Sequence, residues 1–536
     1  MLARKQDPAG RIAIDQSTFR QISGLCVFTV FVYLLFSYGG VRSPDSEVVF
    51  RTAEQLATKG TFGLTSELKG LEEFGLPPGT DGRFYSIFGP GQSIACVPLV
   101  KLALLIDKSG WYDHVREFIP VSHYVGDGII EFVKGTTPAD LKPHALRFLV
   151  SVFNIVVGSL SVAFFFLLVR LLTGSDFSAR WTTILFAFGS LMMPYAGTFF
   201  SEPLATLLAI LSLYCLVWND MVDDVPSNRK YFCLLSSGIF LGLATTVHIS
   251  AILFAPFFFV YAIYPILKTR SPLKNIAISG TAFSIGIAFF LALLGFYNQV
   301  RFGNFLETGR TASPHMIYAT YVAPWRGLYG LVLGGGKGIL WYCPAAVISF
   351  FIWRPFHKRN PVLSYTLLGS VIARLVFIAC RSDWHGGYSL GPRYMVMALP
   401  LLILPYGQAI EDWKEKKTMK GLWLFFFLTL VCICEQIYFS IGEVFSFLHI
   451  VNWTFRDHGF NVFLNDALYL NWETSPLLYL LDTKRGPFLM KFIHVGNGSL
   501  FWLCASVAAL LLFIEYQRSL IKYVNLKHRS FPKNST

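Results

Sequence analysis

Apolar runs of about 20 residues recur along the whole chain, separated by short charged turns, and no other feature restricts the fold so strongly. A helix needs about 20 mostly apolar residues to cross the hydrocarbon core of a bilayer. Candidate spans are 21–39, 146–170, 181–198, 202–218, 231–247, 250–267, 275–297, 338–353, 362–380, 394–410, 421–441 and 498–516. Charged residues make up only 14% of the chain, against about 25% in soluble domains, so a water-soluble chain could not cover its surface. The expected fold is all-α: a polytopic transmembrane helix bundle of about 12 crossings, with interfacial helices in a large first outer loop. The stretch Ser93 to Ile106 is short and contains Pro98 and Lys101, so it is expected at the outer interface.

Orientation follows from the basic residues, which favour the cytoplasmic side. Arg4, Lys5, Arg11 and Arg20 precede the first span. Lys268, Arg270 and Lys274, then Arg354, Lys358 and Arg359, then Lys414, Lys416, Lys417 and Lys420 fill alternate turns. This predicts a cytoplasmic N-terminus at 1–20, one transmembrane domain over 21–516 and a basic cytoplasmic tail at 517–536. Three large segments then face outward: 40–145, 298–337 and 442–497. The first apolar run, Ile22 to Tyr38, has no small-residue cleavage site after it and is expected to be retained. A net charge of +13 raises the question of nucleic acid, but the charges sit in turns between spans, so no nucleic-acid partner is expected. The nine Cys are scattered and give neither a disulfide framework nor metal-ligand spacing.

The polar residues that deserve a chemical reading lie at the outer ends of the spans. Asp45 and Glu47 follow the first span directly. Carboxylates there can act as a general base or bind a cation, and Asp45 can equally cap the run Ser46–Ala57. Glu202, in Ser201-Glu202-Pro203, sits at the mouth of two helices, where an acid needs a partner or water; Ser201 as an N-cap is the plainer reading. Arg301 ends the 275–297 span. Lys337 follows Gly334-Gly335-Gly336, a turn whose amides could approach an anion, although Gly338 rules out a Walker motif. The densest cluster runs from Arg381 to Tyr394. Within it Asp383 and His385 could orient a substrate or bind metal, Trp384 and Tyr388 could stack on a sugar, and Arg393 could hold a phosphate. Arg374 and Glu435 lie inside spans, and the expectation is that they pair or that Arg374 meets a lipid phosphate.

The order of these elements resembles the GT-C superfamily of membrane glycosyltransferases, which includes the protein O-mannosyltransferases and the lipid A aminoarabinose transferases. The resemblance rests on Asp45-Ser46-Glu47 after the first span, the interfacial stretch Tyr85 to Ile106, the helix opening Ala145-Leu146-Arg147-Phe148, and Ser201-Glu202-Pro203. It covers roughly residues 20–300; the Trp-Trp-Asp motif of oligosaccharyltransferases is not found. It implies an enzyme that moves a sugar from a polyprenyl-phosphate donor to an acceptor hydroxyl, with inversion, on the outer face of a bacterial inner membrane. Asp45 matches the family's base and Glu202 its second acidic position, with Glu47 beside them. Arg83, Arg301, Lys337, Arg374 and Arg393 are the candidates for the donor phosphate. The acceptor, whether glycan, lipid or protein, stays open, as does a divalent cation. The rival readings are a flippase or transporter of lipid-linked glycans, and a glycan polymerase or ligase using Arg456, Lys484, Arg485 and Lys491.

Overall fold

The computed structural model describes residues 16–37, 40–41, 43–64, 75–111, 114, 144–222, 227–269, 272–310, 321–387, 389–442, 444, 447 and 466–480. Among these residues the architecture is helical, with isolated β-bridges and no strand. The helices that position the site are α1 (Gln16–Leu35), α2 (Pro44–Lys59), α3 (Gly91–Lys108), α4 (His144–Thr173), α5 (Asp176–Phe188), α6 (Glu202–Met221), α7 (Ser227–Val247), α8 (Ala255–Lys268), α9 (Leu273–Phe302), α10 (Pro324–Val332), α11 (Pro361–Ala379), α12 (Pro405–Glu415) and α13 (Met419–Ile441). Nine helical segments among the described residues are long and apolar enough to cross a bilayer. The chain is an integral membrane protein.

Two of the twelve expected spans hold no helix long enough to cross a bilayer. The run 181–198 divides into α5 and a short helix at Met192–Ala196, broken at Gly189-Ser190-Leu191. The run 338–353 becomes a chain of short helices, because Pro344 removes an amide donor and Cys343 leaves the helical region. The span at 498–516 lies outside the described residues.

The bundle has two chemically distinct ends. At one, Asp176 accepts from Arg170 at 2.6 Å and from Gln21 at 3.3 Å, and Arg359 meets Glu415 at 2.6 Å. These residues belong to the segments expected on the cytoplasmic side. At the opposite end, α2 and α3 lie over the start of α4, joined by Val49, Phe50, Ala53, Cys96, Val100, Ala103, Leu146 and Val150. Helix α3 is not among the candidate spans, in keeping with an interfacial stretch. Close approaches fix the packing of the helices. Gly238 brings α7 against α9, where an added Cβ would lie 2.0 Å from the Phe283 carbonyl oxygen. At Gly89 the same atom would lie 1.9 Å from the Thr246 carbonyl, so glycine seats the 87–89 segment against the end of α7.

Candidate active site

The two carboxylates of the first outer loop have different fates. Ser43, not Asp45, caps α2, its Oγ accepting from the Ser46 amide at 3.1 Å. Asp45 therefore stays free for other contacts, and its side chain is 33% exposed. Glu47 is turned inward and only 2% exposed. Arg147 donates Nη2 to its Oε1 at 2.8 Å and Nη1 to its other oxygen, while Arg51 donates Nε at 2.8 Å. Burial alone would raise the Glu47 pKa, but the Arg147 and Arg51 charges outweigh it and hold the group at about 2. Glu47 thus fastens α2 to α4 and does not reach the cavity.

That cavity opens where Asp45, Glu202, Arg301 and Arg393 converge, with about 1110 Å3 of empty space counted to its open mouth. Its wall also holds Ile87, Phe88, Phe199, Phe200, Leu294 and Phe377, so an apolar body can lie beside a charged head. Arg393 is the central cation. It donates Nη1 to Asp45 at 2.8 Å, stands 3.2 Å from Glu202 through Nε, and lies over the Phe200 and Tyr394 rings at 4.7 and 5.0 Å. Glu202 opens α6; Ser201 is the N-cap residue by position but makes no side-chain cap bond. Arg301, near the end of α9, donates to Asn298 Oδ1 at 2.6 Å and to the Ser86 carbonyl, and stacks on Tyr297 at 3.8 Å.

The structure brings in residues that the sequence did not assign. Arg310, Arg381, His248 and Tyr394 line the cavity. Arg381 donates Nε to Asp383 at 2.6 Å, and Arg310 stands 3.8 Å from the same carboxylate. Burial would raise the Asp383 pKa, but Arg381 and Arg310 hold it below the usual range. Asp383 thus anchors two arginines from behind.

Other expectations are corrected. The Lys337 ammonium does not face an anion: it donates to the Gly387 and Ser389 carbonyls at 2.9 and 2.6 Å and to Ser389 Oγ at 3.0 Å, away from the cavity. Arg374 does not pair with Glu435; it donates to the Tyr394 carbonyl at 2.6 Å and to Ser250 Oγ at 2.8 Å. Trp384 is buried, with Nε1 donating to Asp466 at 3.2 Å and its ring against Gly330, so no sugar can stack on it. His385 lies on the Tyr469 ring at 4.2 Å; burial, reinforced by Lys337, pushes its pKa down to about 3. Arg83 sits half-exposed in a turn 3.7 Å from Asp81 and is not part of the cavity wall. Among the described residues no group of three His, Cys, Asp or Glu side chains could hold a metal ion. The side chain of Tyr388 and the basic residues Arg456, Lys484, Arg485 and Lys491 lie outside the described residues.

No curated protein matches the sequence. Among solved structures, the chain is similar to ArnT from Cupriavidus metallidurans bound to undecaprenyl phosphate, with 12% identity, a TM-score of 0.45, and coverage of 93% of this chain and 76% of that one. It is also similar to the archaeal oligosaccharyltransferase AglB from Archaeoglobus fulgidus in complex with an inhibitory peptide and a dolichol-phosphate, with 11% identity, a TM-score of 0.45, and coverage of 79% and 54%. Residues 107–302, a segment that contains Glu202, His248 and Arg301, match the family model of dolichyl-phosphate-mannose-protein mannosyltransferases. That segment makes up less than half of the chain.

Proposed function

We propose that the cavity transfers a sugar from a polyprenyl-phosphate donor to an acceptor hydroxyl, with Asp45 as the base. One observation carries this reading: a partly exposed carboxylate, Asp45, shares a cavity with four guanidiniums, those of Arg301, Arg310, Arg381 and Arg393. The arginines suit a phosphate, which guanidinium forks bind through parallel hydrogen bonds. The apolar wall suits the first isoprene units. Asp45 takes the acceptor proton as the hydroxyl oxygen bonds to the anomeric carbon. The bond from that carbon to the phosphate oxygen breaks, and the electron pair leaves with the phosphate, where the guanidiniums stabilise it. Attack from the side opposite the phosphate inverts the anomeric centre. Glu202 holds Arg393 between the two partners. Among the described residues the set does not fit a divalent cation: both cavity carboxylates are engaged by Arg393, and no third His, Cys, Asp or Glu joins them.

The opposite end of the bundle carries the Lys- and Arg-rich turns. This supports a cavity on the outer face, and the resemblance supports the cytoplasmic membrane of a bacterium. The test uses purified protein in lipid with a panel of polyprenyl-phosphate sugars and a cell-envelope extract as acceptor. Released polyprenyl phosphate is measured for wild type and Asp45→Asn. Release by wild type that falls at least about a hundredfold in the variant is expected. Equal release by both would overturn the assignment of Asp45.

A further inference from the structure

Arg374 lies behind the cavity, and its contacts lead to a histidine that has no role so far. Its Nη1 donates to Ser250 Oγ at 2.8 Å, and Ser250 Oγ lies 2.8 Å from His248 Nδ1. A guanidinium carries donors only, so Ser250 must accept from it. The one hydroxyl proton of Ser250 then points elsewhere, and His248 Nδ1 is the acceptor in reach. The reverse arrangement, with Nδ1–H donating to Ser250, would leave a buried hydroxyl proton without a partner. An accepting Nδ1 puts the proton of the neutral ring on Nε2.

The surroundings keep the ring neutral. Burial, then the charges of Arg374, Arg381, Arg393 and Arg310, hold its pKa well below that of an ordinary histidine. The ring stands edge to face with Tyr394 at 5.9 Å and lines the cavity beside Arg310, Arg381 and Arg393. The same Arg374 holds the Tyr394 carbonyl through Nε, so one buried guanidinium sets both the imidazole and the residue next to Arg393.

We propose that His248 is a phosphate-binding residue whose Nε2–H, fixed by Ser250 and Arg374, donates to a phosphate oxygen of the lipid-linked donor. This rests on the transferase reading above. An anion held among Arg310, Arg381 and Arg393 lies against the imidazole. A neutral donor adds a hydrogen bond there without bringing another positive charge beside the guanidiniums. Ser250 and Arg374 are positioning residues: Ser250 touches the histidine, Arg374 holds Ser250, and neither lines the cavity.

The experiment measures binding of polyprenyl phosphate, which needs no sugar, to the full chain in lipid nanodiscs. Wild type is compared with His248→Gln, whose amide nitrogen reaches the Nε2 position, and His248→Asn, whose amide nitrogen reaches the Nδ1 position. His248→Asn should weaken binding about tenfold or more, and His248→Gln should recover it to within about threefold of wild type. In parallel, nitrogen NMR of histidine-labelled protein should show a signal, absent in His248→Gln, with Nε2 protonated and Nδ1 bare. Ser250→Ala should shift that signal toward mixed tautomers. Equal binding by wild type and His248→Asn, or a protonated Nδ1 in wild type, would overturn the proposal. Wild type that shows the expected tautomer but does not bind polyprenyl phosphate would instead overturn the transferase reading, and the ligand with it.

Discussion

Removing the Arg393 guanidinium should damage stability and turnover by separable amounts. Its contacts are 2.8 Å to Asp45 and 3.2 Å to Glu202. In Arg393→Met the Glu202 carboxylate, 2% exposed, loses its ion partner. Breaking a buried pair from one side costs about 3–5 kcal/mol. Asp45 is a third exposed, so water screens its loss to about 1 kcal/mol or less. The unfolding midpoint in detergent should therefore fall mainly on account of Glu202. On the chemical side, one charge-assisted hydrogen bond to the leaving phosphate is lost, worth about 1.5–3 kcal/mol, which is roughly a 10- to 150-fold loss of rate. The double variant Arg393→Met/Glu202→Gln separates the two effects. It removes the orphaned charge and should recover much of the stability, while release of polyprenyl phosphate stays slow. Arg393→Lys keeps the charge but not the fork, so its turnover should fall between wild type and Arg393→Met. A stable, fully active Arg393→Met protein would refute the reasoning, and so would a double variant that regains its rate.

Two further expectations concern the frame around the site. Glu47 titrates near 2 when folded, against about 4.3 when unfolded, so its contribution is present above the unfolded value and fades as pH falls toward 2. Glu47→Gln should lower stability at neutral pH by about 3 kcal/mol and flatten the acid limb of the stability profile between about pH 5 and 2; an unchanged limb would show that Arg147 and Arg51 do not hold it. For topology, Lys108→Cys puts a thiol at the exposed end of α3, where an impermeant reagent should label it from the outer side above the wild-type background. Labelling only from the cytoplasm would sink the orientation.

Local signals were readable in the sequence and distant pairings were not. Apolar runs and basic turns depend on neighbours along the chain, so α1, α4, α6, α7, α9, α11 and α13 follow from them. Hydropathy does not register a lost amide, so it does not reveal the break at Pro344, nor the one near Gly189, where every residue keeps its amide. Asp45 and Glu47 looked equivalent. Two residues apart on a helix means about 200° of rotation, so a helix predicted over this stretch already implied that only one of them could face the cavity. Lys337 looked like an anion ligand because nothing near it hints at the Gly387 and Ser389 carbonyls that surround its ammonium. Arg393 and Asp45 are 348 positions apart, and only the folded bundle joins them. Arg310 and His248 carry no motif; the weak signal for both was a polar residue in an outer loop beside an apolar span.

The pairing of Arg393 with Asp45 has a consequence for the reaction cycle. A sugar joined to polyprenyl phosphate leaves one negative charge on the phosphodiester, and the released phosphate carries up to two. In the proposed reaction Asp45 gains the acceptor's proton as the phosphate gains that charge, so the sum over carboxylate and phosphate is unchanged. The four guanidiniums then face a constant total charge, and only its position moves from the Asp45 side toward the leaving oxygen. A preorganised site stabilises such a shift without rearranging itself, and Arg393, already in contact with Asp45, can follow the charge by a rotation of its own side chain. Asn at position 45 copies the neutral state that Asp45 reaches after transfer. Asp45→Asn should therefore bind polyprenyl phosphate at least as tightly as wild type while failing to turn over, measured in the same nanodisc assay. A loss of binding greater than about tenfold would mean that Asp45 helps to hold the donor, and that charge does not move through it as argued.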